Sequence, residues 1–304
     1  MTVTAVIVTN CTQRKSGGSR TDLVLLPHQH GVEQLAEAWR DFISRAPSIG
    51  PARALYQGRS IADAGAAAAH LKSSWYVVSA GLGLISSDQS VPTYECTVAA
   101  GSELGNRLKL AGATSSDWWN ALTAHAPQPL SRLITQSPTL LALPSSYLRM
   151  IHDDLAQVPA SKAKQLRIFT SSAGTPFVPK HLSNCVMPYD ERLESVPNYA
   201  GTRSDFAQRA LRHFVEVLGA TMLPIEEART AVSTELGRHL QRPRRPMGTR
   251  MSDNEIQLVL IAQWVEHAGS STRLLRYLRD EAHISCEQKR FRRLWQELAA
   301  KFRE

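Results

Sequence analysis

A chain of 304 residues that is 43% hydrophobic can bury one large core and carry a small appendage. Its formal charge of +8 is concentrated late: from Gly237 onward 14 Lys/Arg face 8 Asp/Glu, whereas the first 236 residues are near neutral, with 21 against 19. Such a tail points to a polyanionic partner, most often nucleic acid, and the remaining composition argues against disulfide scaffolds, zinc modules and membrane-spanning classes.

In chain order, residues 5–8 form a short apolar strand that breaks into Thr9-Asn10-Cys11-Thr12-Gln13-Arg14-Lys15-Ser16-Gly17-Gly18. A loop this polar belongs at the carboxyl end of a strand, the edge where open α/β sheets bind ligands. Pattern predicts helix over 31–45 and 60–71, strand over 75–79, helix over 116–125 and strand over 132–135. Helix follows over 138–155, interrupted near Pro144, then strand over 166–170 and 185–187. Strands alternating with helices predict a doubly wound, mainly parallel sheet covered on both faces. Polar clusters such as Ser79-Ala80-Gly81 and Thr170-Ser171-Ser172 then converge on one edge.

Two further helices are predicted, over 205–218 with Ser204 as N-cap, and over 225–240 opened by Pro224. A basic linker carrying Arg244 and Arg245 separates them from a capping box, Ser252-Asp253-Asn254-Glu255. The helix it opens points Ile256, Val259, Leu260 and Trp264 inward and ends near Gly269; a second short helix buries Leu274, Leu275 and Leu278. The third places Phe291, Leu294, Leu298 and Phe302 opposite Lys289, Arg290, Arg292 and Arg293. Three short helices with a basic third fit a helix-turn-helix-like module. The expected divisions are an α/β domain over 1–200, a helical extension over 201–241, a basic linker over 242–252 and the helical module over 253–304.

Cys11, Cys96, Cys185 and Cys286 form no CxxC pair, and His28 and His30 are the one close histidine pair, so no metal site is expected. Neither a membrane-length apolar run nor a signal-peptide n-region is present, which predicts a cytoplasmic protein. Gly17 and Gly18 fall after Lys15, the wrong side for a P-loop, and no GxGxxG follows a strand, so no nucleotide cofactor is expected. Cys11 sits where a nucleophile could, yet no partner His is evident, and a small buried cysteine is the preferred reading.

Four segments occur in order: the cysteine-containing loop Thr9-Asn10-Cys11, then Ala52-Arg53-Ala54-Leu55-Tyr56, Ser79-Ala80-Gly81-Leu82-Gly83-Leu84 and Pro92-Thr93-Tyr94-Glu95. Together they resemble a family of small α/β domains related to the accessory domain of archaeosine-type tRNA-guanine transglycosylases. Members share the organisation of uracil-DNA glycosylases; peroxide-stress YaaA proteins carry similar motifs, and relatives in phage-defence loci remove glucosylated hydroxymethylcytosine from phage DNA. The resemblance covers about residues 3–95. It implies a uracil-DNA-glycosylase-like fold and a base-excision activity on modified phage DNA, with a DNA-binding stress protein or a transglycosylase-like enzyme as alternatives. Related loops often read Ser-Cys-Ser, and uracil-DNA glycosylases place an Asp in this loop; here the loop holds neither.

Base excision passes through an oxocarbenium-like transition state, in which a carboxylate or amide orients water and cations help the departing base. Asn10, Glu95 and Asp190 are the catalytic candidates. Substrate-binding candidates are Cys11, Lys15, Arg53, Ser79, Gly81, Tyr94, Ser171, Tyr199 and Arg203. Arg192 is a further phosphate candidate, Trp118 and Trp119 offer stacking surfaces, and Asp205 reads as a helix-start residue. Arg244, Arg245, Lys289, Arg290, Arg292 and Arg293 are assigned to DNA.

Overall fold

The computed structural model describes residues 5–17, 21–99, 101–239 and 249–302. The chain divides into two compact units, residues 1–242 and 243–304. The first is a mixed α/β unit built on a five-stranded sheet: β1 (Val6–Asn10), β2 (Trp75–Ser79), β3 (Gly83–Ser86), β4 (Thr139–Ala142) and β5 (Leu166–Phe169). The spatial order is β3-β2-β1-β4-β5; all neighbours are parallel except β2 and β3, which form an antiparallel hairpin edge. Every residue of β1, β4 and β5 is buried, which requires cover on both faces of the sheet.

That cover comes from two helix groups. Helices α1 (Val32–Ser44), α3 (Ser115–Thr123) and α4 (Ser145–Met150) pack successively, with α3 also against β3. Helix α2 (Arg59–Leu71) packs on α5 (Phe206–Glu216), and α5 lies along β4 and β5. Helix α6 (Ile225–Arg238) completes the unit, with Ala228, Val232 and Leu236 inward on the one face that their spacing defines.

Four expectations fail here. Residues 132–135 are helical, inside Leu130–Gln136, and the strand is Thr139–Ala142, within the stretch predicted as helix. A short apolar run does not distinguish helix from strand by periodicity. Pro129 opens the helix at φ −62°, and Leu130, Leu133 and Ile134 bury one face of it. Pro144 then starts α4, so the two prolines bracket a segment holding both elements. Residues 185–187 add one bridge, Ile168 to Val186, after the 3-10 turn Lys180–Cys185, and make no sixth strand. Asp205, not Ser204, is the N-cap of α5.

Helix α5 is enclosed almost all round and carries three buried polar side chains, Gln208, Arg209 and His213. Arg209 is wholly buried: its Nε donates to Asp205 (2.6 Å), one Nη to Glu194 (2.8 Å) and to the Thr202 carbonyl (2.8 Å), the other to the Tyr199 carbonyl (2.5 Å). The guanidinium therefore ties the irregular segment 190–205 to the helix. His213 Nδ1 lies 2.9 Å from Tyr189 Oη, and burial pushes this imidazole down to about 4, with the Glu235 carboxylate opposing the shift and His239 adding to it.

The second unit contains α7 (Asp253–Ala262), α8 (Ser271–Arg276) and α9 (Gln288–Lys301) around Ile256, Leu260, Leu274, Leu278, Phe291, Leu294 and Leu298. The capping box forms as expected, Ser252 and Glu255 serving each other's backbone N–H groups. Helix α7 ends at Ala262 rather than near Gly269, because the chain turns back through 263–269. Gly269 sits at φ +63° against the Trp264 ring, whose other partners are Trp295 and Phe302. Phe302 lies past the helix end and is half exposed, stacked on Trp264 instead of buried in the core.

Arg209→Leu strands Asp205 beside an apolar side chain and should cost about 3–5 kcal/mol, read as a lowered urea midpoint. His213 protonates near 6.5 in the unfolded chain but near 4 when folded, so the unfolded state binds the extra proton between those values. Stability is then full above about pH 6.5 and declines as pH falls toward 4. His213→Phe should lose less stability between pH 7 and pH 5 than the parent; equal losses would assign the pH dependence elsewhere.

Candidate functional site

The chain leaves β1 toward β2 and later returns to β4 on the other side of β1, so the carboxyl ends of β1 and β4 flank the topological switch point. Asn10 is the last residue of β1 and Ala142 the last of β4, and Gln208 of α5 joins them. Its Nε2 donates to Asn10 Oδ1 (2.7 Å) and to the Ala142 carbonyl (3.0 Å), which fixes both amide orientations. Asn10 Nδ2 donates to the Cys11 carbonyl (2.7 Å), and Cys11 Sγ lies 3.0 Å from Tyr147 Oη on α4. Asn10 and Cys11 are both buried here, tied to Gln208 and Tyr147.

Nearby, the three later motif segments and Lys15 of the first loop meet on one ring. Tyr94 Oη is 2.6 Å from Tyr56 Oη and 2.6 Å from Ser79 Oγ, and Ser79 Oγ accepts from the backbone N–H groups of Gly81 and Leu82. Lys15 is buried with its Nζ 4.4 Å from the Tyr94 ring centre, close enough for cation–π attraction, and residue 15 bridges residue 56 through the backbone. Gly81 is required by approach: a Cβ there would lie 2.6 Å from the Tyr94 ring and 3.1 Å from Cys96. Trp39 donates to the Gly81 carbonyl (2.7 Å) and sets its edge toward Tyr94, while Trp118 donates to the Ala80 carbonyl (2.8 Å).

Burial first, and the Cys11 sulfur second, hold the Tyr56, Tyr94 and Tyr147 phenols well above their ordinary range, so all three stay protonated at neutral pH. Burial likewise raises the Cys96 thiol; Lys15 opposes that shift, while Glu95 and Asp22 add to it. The carboxylates of Glu95 and Asp22 occupy paired positions of two short parallel strands, Thr21–Asp22 and Tyr94–Glu95. Asp22 lies a few residues beyond the polar loop in sequence, with Oδ1 accepting from Val24 N.

The other candidates are placed elsewhere or otherwise engaged. Asp190 caps the 3-10 turn Glu191–Ser195 and pairs with Arg192, whose Nε reaches both carboxylate oxygens at 2.9 and 3.0 Å. Tyr199 is not an open stacking surface: its ring is buried edge-on to His213 and its hydroxyl donates to Glu216 (3.1 Å). Burial, with Glu216 next, pushes that phenol up to about 12. Both Trp118 and Trp119 are core residues, Trp119 donating to Asp154 (2.7 Å). Arg53 is exposed and paired with Asp88. Arg203 is exposed on the turn before α5, and Ser171 is half-buried after β5, where its carbonyl accepts from Gly174 N (2.8 Å). Asp205 does more than start a helix, since it anchors Arg209.

In the second unit, Arg290 and Arg293 of α9 both bind the Asp253 carboxylate, at 2.6 and 2.5 Å, and Arg293 also reaches Glu297 (3.1 Å). Lys289 and Arg292 are exposed, and Arg244 and Arg245 lie outside the described residues. Among the described residues no group of three His, Cys, Asp or Glu side chains is placed to hold a metal ion, and no helix is long and apolar enough to cross a membrane.

Comparison with known proteins returns no matching family model, no matching curated protein and no matching solved structure.

Sequence reading missed Gln208, Tyr147 and Asp22. Gln208 and Tyr147 meet their partners across 198 and 136 residues, and neither belongs to a motif. Gly81→Ala should drive the Tyr94 ring from its seat and destabilise the unit by about 1–3 kcal/mol, visible in the urea midpoint and the near-ultraviolet dichroism.

Proposed function

We propose that this chain is a DNA N-glycosylase: a uracil-DNA-glycosylase-like α/β unit that releases a modified base from phage DNA, joined to a helix-turn-helix-like basic module that grips the backbone. The observation that carries this reading is the convergence of the loop after β1, Tyr56, Ser79-Ala80-Gly81 and Tyr94-Glu95 on one point at the carboxyl edge of a parallel sheet. Glucosylated hydroxymethylcytosine is the proposed base, by the resemblance of those four segments.

In the proposed reaction the C1′–N bond breaks and its electron pair leaves with the base. The oxygen of water bonds to C1′, and the proton it sheds passes to the base, leaving a hemiacetal abasic sugar. Glu95 orients the water and stabilises the positive sugar; Lys15 stabilises the negative charge on the departing base. Asn10 reads or orients the substrate from the end of β1. Glu95 is preferred over Asp190 because Asp190 is chelated by Arg192, whereas Glu95 stands next to Tyr94 within electrostatic reach of the same thiol as Lys15.

A second reading, a YaaA-like protein that binds DNA without releasing a base, draws on the closed hydrogen bonding of the Tyr56, Tyr94 and Ser79 hydroxyls. The two part on one experiment. Protein incubated with phage DNA bearing glucosylated hydroxymethylcytosine should generate aldehydic abasic sites. Glu95→Gln should lower their rate by about 10²-fold or more, the range for loss of a positioned acid–base group, and Asp190→Asn should leave it nearly unchanged. No abasic sites on modified or unmodified DNA would remove the enzymatic reading and retain the binding one.

A further inference from the structure

The second unit contains a groove of about 1060 Å³ between α8, the turn that follows it and α9. Arg276, Arg279, His283 and Arg292 line it, together with the half-buried Trp295, and among the described side chains no Asp or Glu lines its wall. The three arginines are exposed, and among the described residues none of them is ion-paired. That contrasts with Arg290 and Arg293, which spend their charge on Asp253.

The backbone explains how the groove acquires its charge. Helix α8 continues into a wide π-turn, Tyr277–Glu281, in which Ala282 N donates to the Tyr277 carbonyl five residues back (2.9 Å). Such turns re-aim side chains that a regular helix would place differently, and they concentrate at functional sites. Leu274 and Leu278 point into the core from this stretch, so Arg276 and Arg279 fall on the opposite, solvent side. His283 follows at φ +49°, the left-handed region, and Ile284–Ser285 then leads to α9 with Arg292 across the groove.

We propose that this groove, rather than the α9 face bearing Arg290 and Arg293, takes the phosphate backbone of nucleic acid. The proposal rests on the nucleic-acid reading given above and assigns the residues that make the contact. Exposed guanidinium groups gathered on one groove attract a polyanion at low salt, and each phosphate neutralised adds to the salt dependence of binding.

The test uses the full chain and a fluorescein-labelled oligonucleotide, single-stranded and as duplex. Arg276→Gln/Arg279→Gln should weaken binding at least about tenfold and reduce the slope of log K against log salt by about 1.5–2. Arg45→Gln/Arg132→Gln, an equal charge change on exposed positions of the first unit, should do neither. Arg292→Gln alone should act in the same direction as the groove pair. An unchanged melting midpoint confirms that the exposed substitutions leave the fold intact. Loss on one of the two oligonucleotide forms supports the proposal and assigns the form held. Parent-like binding by the groove variants, an equal loss in the control pair, or tighter binding of polyglutamate than of either oligonucleotide overturns it. Abasic-site formation measured on the same variants separates the two readings. Base release that persists without groove-dependent binding removes the groove alone, and groove-dependent binding without release removes base excision alone.

Discussion

The hydroxyl of Tyr94 is a polar group sealed inside the first unit, and an unpaired hydroxyl there would cost about 1–3 kcal/mol. It is paired twice, to Tyr56 and Ser79, and each partner comes from a different segment of chain. Ser79 in turn accepts from the turn after β2, and Lys15 covers the ring face. A shift in any of these segments would unpair a buried polar group, so they hold one another in register. The absent side chain of Gly81 belongs to the same constraint, because the ring occupies the space a Cβ would need.

A comparable device operates on α5. A helix enclosed nearly all round is normally apolar all round, yet this one carries Gln208, Arg209 and His213 inward. Each is matched to a group that only the folded chain brings near: Gln208 to the strand ends, Arg209 to the 190–205 segment, His213 to Tyr189. Buried ionic and amide networks contribute little net energy over apolar packing, and their larger effect is to penalise any arrangement that breaks them. Through Gln208 the helix is coupled to the carboxyl ends of β1 and β4.

The second unit has too few residues for a large core, and it compensates at its surface. A capping box opens α7, Asp253 clamps two arginines of α9, and Trp264 stacks between Trp295 and Phe302. The arginines are thereby divided into structural and uncommitted ones. Pairing with Asp253 neutralises Arg290 and Arg293 locally, whereas the positive potential of Arg276, Arg279 and Arg292 remains directed at solvent.

Several features were legible from residues alone. The apolar strand before Thr9, the helices 32–44 and 59–71, the strand Trp75–Ser79 and the Ser252 capping box rest on local periodicity and caps, which act over a few residues. The mainly parallel sheet followed from their alternation. The segment 130–142 was misread because a run of two or three apolar residues is compatible with either period, and the arbiter, full burial within the sheet, is tertiary. The sequence by itself also determined that Lys15 lies in a polar loop after the first strand and Ser79 at the end of another. Only the tertiary structure decided their state: that Tyr94 is bonded to Tyr56, that Asp190 and Arg290 are consumed by ion pairs, and that Gln208 spans the switch point. Apart from the Asp190–Arg192 pair, which is local, those outcomes depend on partners tens to hundreds of residues distant, and hydrogen-bond pairing at such separations is set by packing, on which local sequence pattern carries no information.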